Sequence, residues 1–162
     1  QDPTIFHASL RENLTFYNPQ ASDEHLHAVI EKLGLSELLV QLPQGLDTLI
    51  GEGARGLSGG QAQRIALARV VLDERKRIIL FDEPTAHLDI ETEMELKQAM
   101  VEVMQERLVV FATHRLHWLD TLDYLLVLEE GKLVEQGTTT QLLESTTHFA
   151  TLVRALCGGE AA

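Results

Sequence analysis

Cysteine is almost missing from this sequence: Cys157 is the only one in 162 residues. No disulfide framework can form within the chain, which fits a reducing compartment. Cys157 stands in a Gly- and Ala-rich tail, which argues against a catalytic role. Positive charge is also scarce. Lys and Arg number 13 against 25 Asp and Glu, giving a formal net charge of −12 and a pI near 4.9. Such a surface repels nucleic-acid backbone and anionic lipid, so direct binding to either is not expected. No run of 18 apolar residues occurs, so no segment reads as a membrane span. No secretory leader pattern opens the chain. It begins at Gln1 without a methionine, which reads as part of something longer.

What is present is ordinary for a soluble globular domain: 44% hydrophobic and 23% charged residues. The length allows one domain with a real core. "SDEHLHAVIEKLGL" reads as a helix capped by Ser22 or Asp23 and ended by Gly34. "SELLVQL" reads as a second short helix, and "PQGLDTLIGEGARG" as loop. Ser58 to about Leu72 reads as a helix whose apolar face includes Ile65, Leu67 and Val71. "RIILFDEP" is expected to be a buried strand over Ile78 to Asp82, and "RLVVFATH" a second buried strand. Between them lies a helix with Asp89 at its start and Ile90, Met94, Val101 and Met104 along one face. "DYLLVLEEGKLVEQG" reads as a hairpin turning at Glu130-Gly131. Helices around "TTQLLES" and "HFATLVRALC" follow. Strand–helix–strand order in the second half implies an α/β layer with parallel strands, whereas the first half looks helical.

Two stretches carry chemistry. A strand that delivers Asp82 to its C-terminal edge puts a carboxylate where α/β proteins bind ligands. Such an Asp suits Mg²⁺, which takes few carboxylates and several waters. Glu83 beside it can orient or deprotonate a water; the alternative is a strand end that merely caps the next turn. In "LSGGQ", Ser58 can cap a helix, and Gly59 and Gly60 let backbone N–H groups approach an anion. Taken alone, that stretch is more often a plain cap. His114 and His117 are three apart, a spacing that suits a metal on a helix, but no third ligand is evident. His25 and His27 read as members of a solvated helix face, and Trp118 as a packing residue.

Together, "LSGGQAQRIALARVVL", "IILFDEPTAHLD" and a strand ending in "FATH" form an ordered constellation. It resembles the ATP-binding-cassette (ABC) ATPase domain over essentially the whole chain. The resemblance implies a P-loop NTPase-like α/β fold: a helical signature subdomain over about residues 1–72, and half of a mainly parallel core sheet with C-terminal helices over about 73–162. It makes Leu57 to Gln61 the signature motif, Ile78 to Asp82 the Walker B strand and Glu83 the catalytic glutamate. Ala86 to Asp89 becomes the D-loop, His114 the switch histidine and Gln1 the Q-loop glutamine. ATP and Mg²⁺ are the implied ligands. A second nucleotide-binding domain, paired head to tail, and a transmembrane domain are the implied partners. By the same resemblance, Ser58, Gly59, Gly60 and Gln61 serve a nucleotide held by the partner, and Asp89 of the D-loop is a further nucleotide-binding residue. Gln1, Asp82, Glu83 and His114 serve one held in cis, with Asp82 and Gln1 toward the metal.

The sequence has no G-x-x-x-x-G-K-[ST] P-loop; its only Gly-Lys pair is Gly131-Lys132, followed by Leu133. The expectation is therefore the later part of a nucleotide-binding domain, inactive by itself and, with apolar surface and strand edges exposed, either self-associating or rearranged in its N-terminal half. "TIFHASLRENL" and "DTLIGEGARGLSGGQ" are similar to exporter-type cassettes, in which Gly51, Glu52 and Gly53 would face the membrane domain. Among exporters the resemblance is to the CydD-like half of the bacterial cysteine/glutathione exporter of cytochrome bd assembly. Such a parent would lie on the cytoplasmic side of the inner membrane. Lipid, peptide or drug exporters are the alternatives, as are the soluble cassettes of DNA repair or translation. A non-enzymatic interaction module is the alternative from another class. The D-loop departs from the frequent Ser-Ala-Leu-Asp in having Ala86-His87-Leu88-Asp89.

Overall fold

The computed structural model describes residues 3–51, 56–73, 75–86, 88–105, 107–144 and 148–158, the side chains of 155–158 excepted. Gln1, Glu52, Gly53, His87 and the Cys157 side chain lie outside the described residues. The chain divides into two compact units, Gln1–Thr113 and His114–Ala162.

The first unit opens with a two-residue strand β1 (Ala8–Ser9) and helix α1 (Leu10–Leu14). Ser9 and Glu12 form a reciprocal capping box at the start of α1. Helix α2 (Asp23–Lys32) is capped by Ser22, as expected. It ends in a Schellman turn: Leu35 N–H donates to Ile30 O at 2.8 Å and Gly34 N–H to Glu31 O at 3.0 Å. Gly34 has φ +64, and a Cβ there would collide with the Arg64 guanidinium. Helix α3 (Ser36–Gln41) follows. The stretch expected as loop holds a 3₁₀ turn, Gly45–Asp47, and strand β2 (Leu49–Ile50), which pairs antiparallel with β1. Gly51 is required at the end of β2, because its φ is +100 and a Cβ would lie 2.7 Å from Phe6 O.

Helix α4 (Gly59–Leu72) is the spine of this region. Gln63, Ile65, Leu67, Ala68, Arg69 and Leu72 are its buried residues; Val71, expected on that face, is only half-buried. Arg69 is 7% exposed and binds the N-terminal segment. Its guanidinium donates to Asn13 O at 2.7 Å, Thr4 O at 2.7 Å and Asn13 Oδ1 at 2.9 Å. It also faces the Phe6 and Phe16 rings, 5.1 and 5.9 Å from their centroids. Asn13, fully buried, accepts from Phe6 N–H at 2.9 Å and donates to Phe6 O and Ser9 O, both at 3.0 Å. Burial without a carboxylate among its described partners lowers the Arg69 pKa.

Strands β3 (Ile78–Asp82) and β4 (Leu108–Ala112) pair in parallel and in register, Asp82 opposite Ala112, around helix α5 (Ile90–Met104). The strands stand where the sequence put them, but they are not buried on both faces. Ile79 and Phe81 point inward, while Ile78 and Leu80 are 62% and 75% exposed and Leu108 and Val110 are 64% and 53% exposed. Alternate side chains leave opposite faces of a strand, and among the described residues nothing covers the outer face. Helix α5 is also turned from its expected orientation. It buries Glu93, Leu96, Ala99, Met100 and Val103, while Ile90 and Met94 are exposed. Both sets recur at helical spacing, so periodicity alone does not choose between them.

The second unit holds a 3₁₀ turn (Leu116–Thr121), the hairpin β5 (Leu125–Glu129) and β6 (Lys132–Gly137), and helices α6 (Thr139–Glu144) and α7 (His148–Gly158). Glu130 and Gly131 both have positive φ, 48° and 74°, the mark of a type I′ turn. Leu125, Leu142 and Phe149 form its small core, with Leu119, Leu122, Val127 and Val153 packed against it. Trp118 is fully buried, in line with a packing role. The Glu135 carboxylate accepts from the first N–H groups of α7, at 2.6 Å from His148 and 2.9 Å from Phe149.

Candidate functional site

Ser58 is the N-cap of α4 in extended geometry, and with Gln61 it forms a full capping box. Ser58 Oγ accepts from Gln61 N–H at 3.1 Å, and Gln61 Oε1 accepts from Ser58 N–H at 3.0 Å. The amides of Gly59 and Gly60 are the first two of the helix, positions that have no intrahelical acceptor. Neither glycine is demanded by the chain's own fold. Both have ordinary helical backbone; a Cβ on Gly59 would meet nothing within 4 Å, and one on Gly60 only Leu88 Cδ2 at 3.4 Å. Each glycine in a helix costs about 0.5–1 kcal/mol relative to alanine.

The same helix start opens onto a cavity of about 370 Å³ lined by Ser58, Gly60, Gln61, Arg64, Leu88 and Asp89, among others. Asp89 caps α5, accepting from Thr92 N–H and Thr92 Oγ1, both at 2.9 Å. The Thr92 amide, more than its hydroxyl, holds the Asp89 carboxyl below the usual carboxylate range. Two helix N-termini thus meet at one cavity, from stretches about thirty residues apart in sequence. Arg64, which sequence reasoning passed over, ties the wall together: it donates to Leu33 O at 2.9 Å and to Glu95 Oε2 at 3.1 Å. Its only sequence signal is its place on α4 one turn beyond Gly60.

Asp82 and Glu83 do not line this cavity. Asp82 is exposed at the C-terminal end of β3, and Glu83 is half-buried just beyond it. Glu83 N–H donates to Ala112 O at 2.9 Å, adding one rung to the ladder. Its φ of 46° lies in the left-handed region, which costs a non-glycine residue about 1–2 kcal/mol. Strain of this kind clusters at functional sites. Among the described residues no three His, Cys, Asp or Glu side chains converge as metal ligands. A single exposed strand-end carboxylate fits Mg²⁺, which fills its shell with water and phosphate oxygens. It does not fit a zinc site. His114 begins the second unit.

Residues 1–86, more than half of the chain, match the family described as ABC transporter, and the chain belongs to that family. Its ATPase fold and family-level ATP binding follow. The chain is 50% identical over 161 residues, 99% of its own length, to the glutathione/L-cysteine transport system ATP-binding/permease protein CydC of Bacillus subtilis. It is 40% identical over 139 residues (86%) to the CydC of Escherichia coli, and 40% identical over 143 residues (88%) to the human mitochondrial iron-sulfur clusters transporter ABCB7. It spans 28%, 24% and 19% of these relatives' lengths. The transport system named for both bacterial relatives is the one that the sequence resembles, and the subunit named is CydC, where the sequence pointed to CydD.

Proposed function

We propose that the chain supplies the signature and Walker B parts of the ATP-hydrolysing domain of an exporter-type ABC transporter that exports a thiol such as cysteine or glutathione. The observation that carries this reading is the bare start of α4. Gly59 and Gly60 weaken the helix and answer no steric or conformational need within the chain. A helix N-terminus free of side chains is what a phosphate brought up by another molecule requires.

In this reading Ser58, Gly59, Gly60 and Gln61 meet the γ-phosphate of ATP held by a second nucleotide-binding domain, and Asp89 stands at that same interface. Asp82, Glu83, His114 and Gln1 serve ATP bound in cis. Asp82, with Gln1, would hold Mg²⁺, which neutralises phosphate charge in the transition state. Glu83 orients the attacking water and takes its proton, help typically worth about 10²–10⁴-fold. His114 contacts the γ-phosphate. No P-loop occurs in the 162 residues, so these residues alone turn nothing over. The partners are a second such domain and a transmembrane domain, at the cytoplasmic face of a bacterial inner membrane. No helix among the described residues is long and apolar enough to cross a membrane. The thiol cargo rests on the names of the CydC relatives. ABCB7 is as similar as the Escherichia coli CydC, so a different exported cargo is the second reading.

The test is ATP turnover by the purified full-length transporter. Glu83→Gln is expected to keep ATP binding and to lose turnover by about 10²-fold or more. Cysteine or glutathione is expected to stimulate the unaltered protein. Turnover that survives Glu83→Gln removes the catalytic assignment, and stimulation by peptides or lipids but not thiols removes the cargo.

A further inference from the structure

Behind the Glu83 turn lies a polar pair with no part in the chemistry so far. Glu93, in the first turns of α5, and Thr85 are 0% and 2% exposed. The Thr85 hydroxyl donates to Glu93 Oε1. Thr85 is the third residue of the turn that Ala86 N–H closes on Glu83 O at 3.2 Å. Its own carbonyl accepts from Leu88 N–H at 3.1 Å, so the approach to Asp89 hangs from the same residue.

Glu83 keeps its left-handed backbone only where its surroundings over-determine it. On the strand side the constraint is its N–H bond to Ala112 O. On the helix side it is the side chain of Thr85, two residues on, locked to α5. A buried hydroxyl–carboxyl bond has no water to take its place, so it holds its geometry firmly.

We propose that Thr85 and Glu93 are positioning residues: their hydrogen bond fixes the turn that aims the Glu83 carboxylate, and so sets the rate of ATP hydrolysis without touching nucleotide. This role presupposes that Glu83 activates the attacking water. A misplacement of about 1 Å in a catalytic group can cost on the order of 10²-fold in rate. Binding, which rests on other residues, stays as it was.

The experiment is steady-state ATPase kinetics of the full-length transporter, with melting temperature and ATP affinity measured alongside. Thr85→Val removes the hydroxyl at nearly constant volume. Its kcat should fall about 10- to 100-fold while KM for ATP-Mg stays within roughly twofold. Thr85→Ser, which keeps the hydroxyl, should restore most of the rate. Glu93→Gln keeps an acceptor and should lose less than Glu93→Ala. Unchanged kcat in Thr85→Val, or equal losses in Thr85→Ser and Thr85→Val, overturns the proposal. So does a rise in KM alone, or a failure of both Thr85→Val and Glu93→Gln to fold, which makes the pair a stability element only. Glu83→Gln in the same preparation separates the two claims. If it keeps turnover, the role of Glu83 fails; if it is dead while Thr85→Val is normal, only the positioning role fails.

Discussion

Two regions of the first unit are held together by opposite means. Around α4, two buried or half-buried arginines tie the neighbouring segments together. Arg69 gathers Thr4 and Asn13, Asn13 gathers Phe6 and Ser9, and Arg64 seals the end of α2 over Gly34. In the β3–β4 pair the inner face is packed, but Ile78, Leu80, Leu108 and Val110 turn apolar side chains outward. Burying one such side chain is worth about 1.5–3 kcal/mol, and parallel strands are normally covered on both faces. The signature end of the site is therefore held by a self-sufficient scaffold. Asp82 and Glu83 ride on the less complete one.

The largest expected effect breaks the scaffold of α4. Arg69→Met strips donors from Asn13 and Thr4 in a buried place and should lower stability by roughly 2–4 kcal/mol in urea unfolding. Arg69→Lys should recover only part of that, because an ammonium cannot reproduce the guanidinium fork. A loss within the noise of a surface substitution would erase the contrast between the two regions. Next comes Gly59→Ala, which should raise stability by about 0.5–1 kcal/mol and yet depress ATPase activity in the full-length transporter. A gain in both would remove the reason given for the bare helix start.

On the sheet side, Leu80→Lys should leave the free energy of unfolding within about 0.5 kcal/mol of the parent, as for a surface position. It should also reduce self-association in light scattering at high concentration. A large destabilisation would mean that the outer face is not open. The smallest effect is expected in acid. The Asp89 carboxyl lies below its usual range when folded because of the Thr92 amide. Its contribution is therefore present above the ordinary carboxylate pKa and fades as pH falls through the folded value. Asp89→Asn should flatten that acid limb of the pH–stability curve by lowering the neutral plateau slightly toward the acid value.

Much of this was legible in the chain itself. A cap at Ser22 or Asp23, a cap at Ser58, a helix start at Asp89, a hairpin turn at Glu130-Gly131 and a strand end at Asp82 each depend on local chemistry that sequence carries directly. Burial was less legible. "IILFD" and "LVVFA" read as buried strands because apolar content reports what a strand can bury, not whether a neighbour is there to cover it. Helix α5 carries two apolar stripes, and packing chose the one with Leu96, Met100 and Val103 over the one with Ile90 and Met94. The Arg69–Asn13 hub and the Thr85–Glu93 pair were missed since their partners, 56 and 8 residues apart, meet only in the folded chain. The meeting of Ser58 and Asp89 at one cavity has no local signal either.

The most direct test of the account is calorimetric titration of the 162-residue chain with ATP-Mg, once its cooperative unfolding has been verified. The signature glycines are assigned to a nucleotide held elsewhere, and the sequence has no P-loop, so no saturable heat of binding is predicted. Saturable, tight binding would contradict the account, since the chain would then hold its nucleotide with residues other than those assigned.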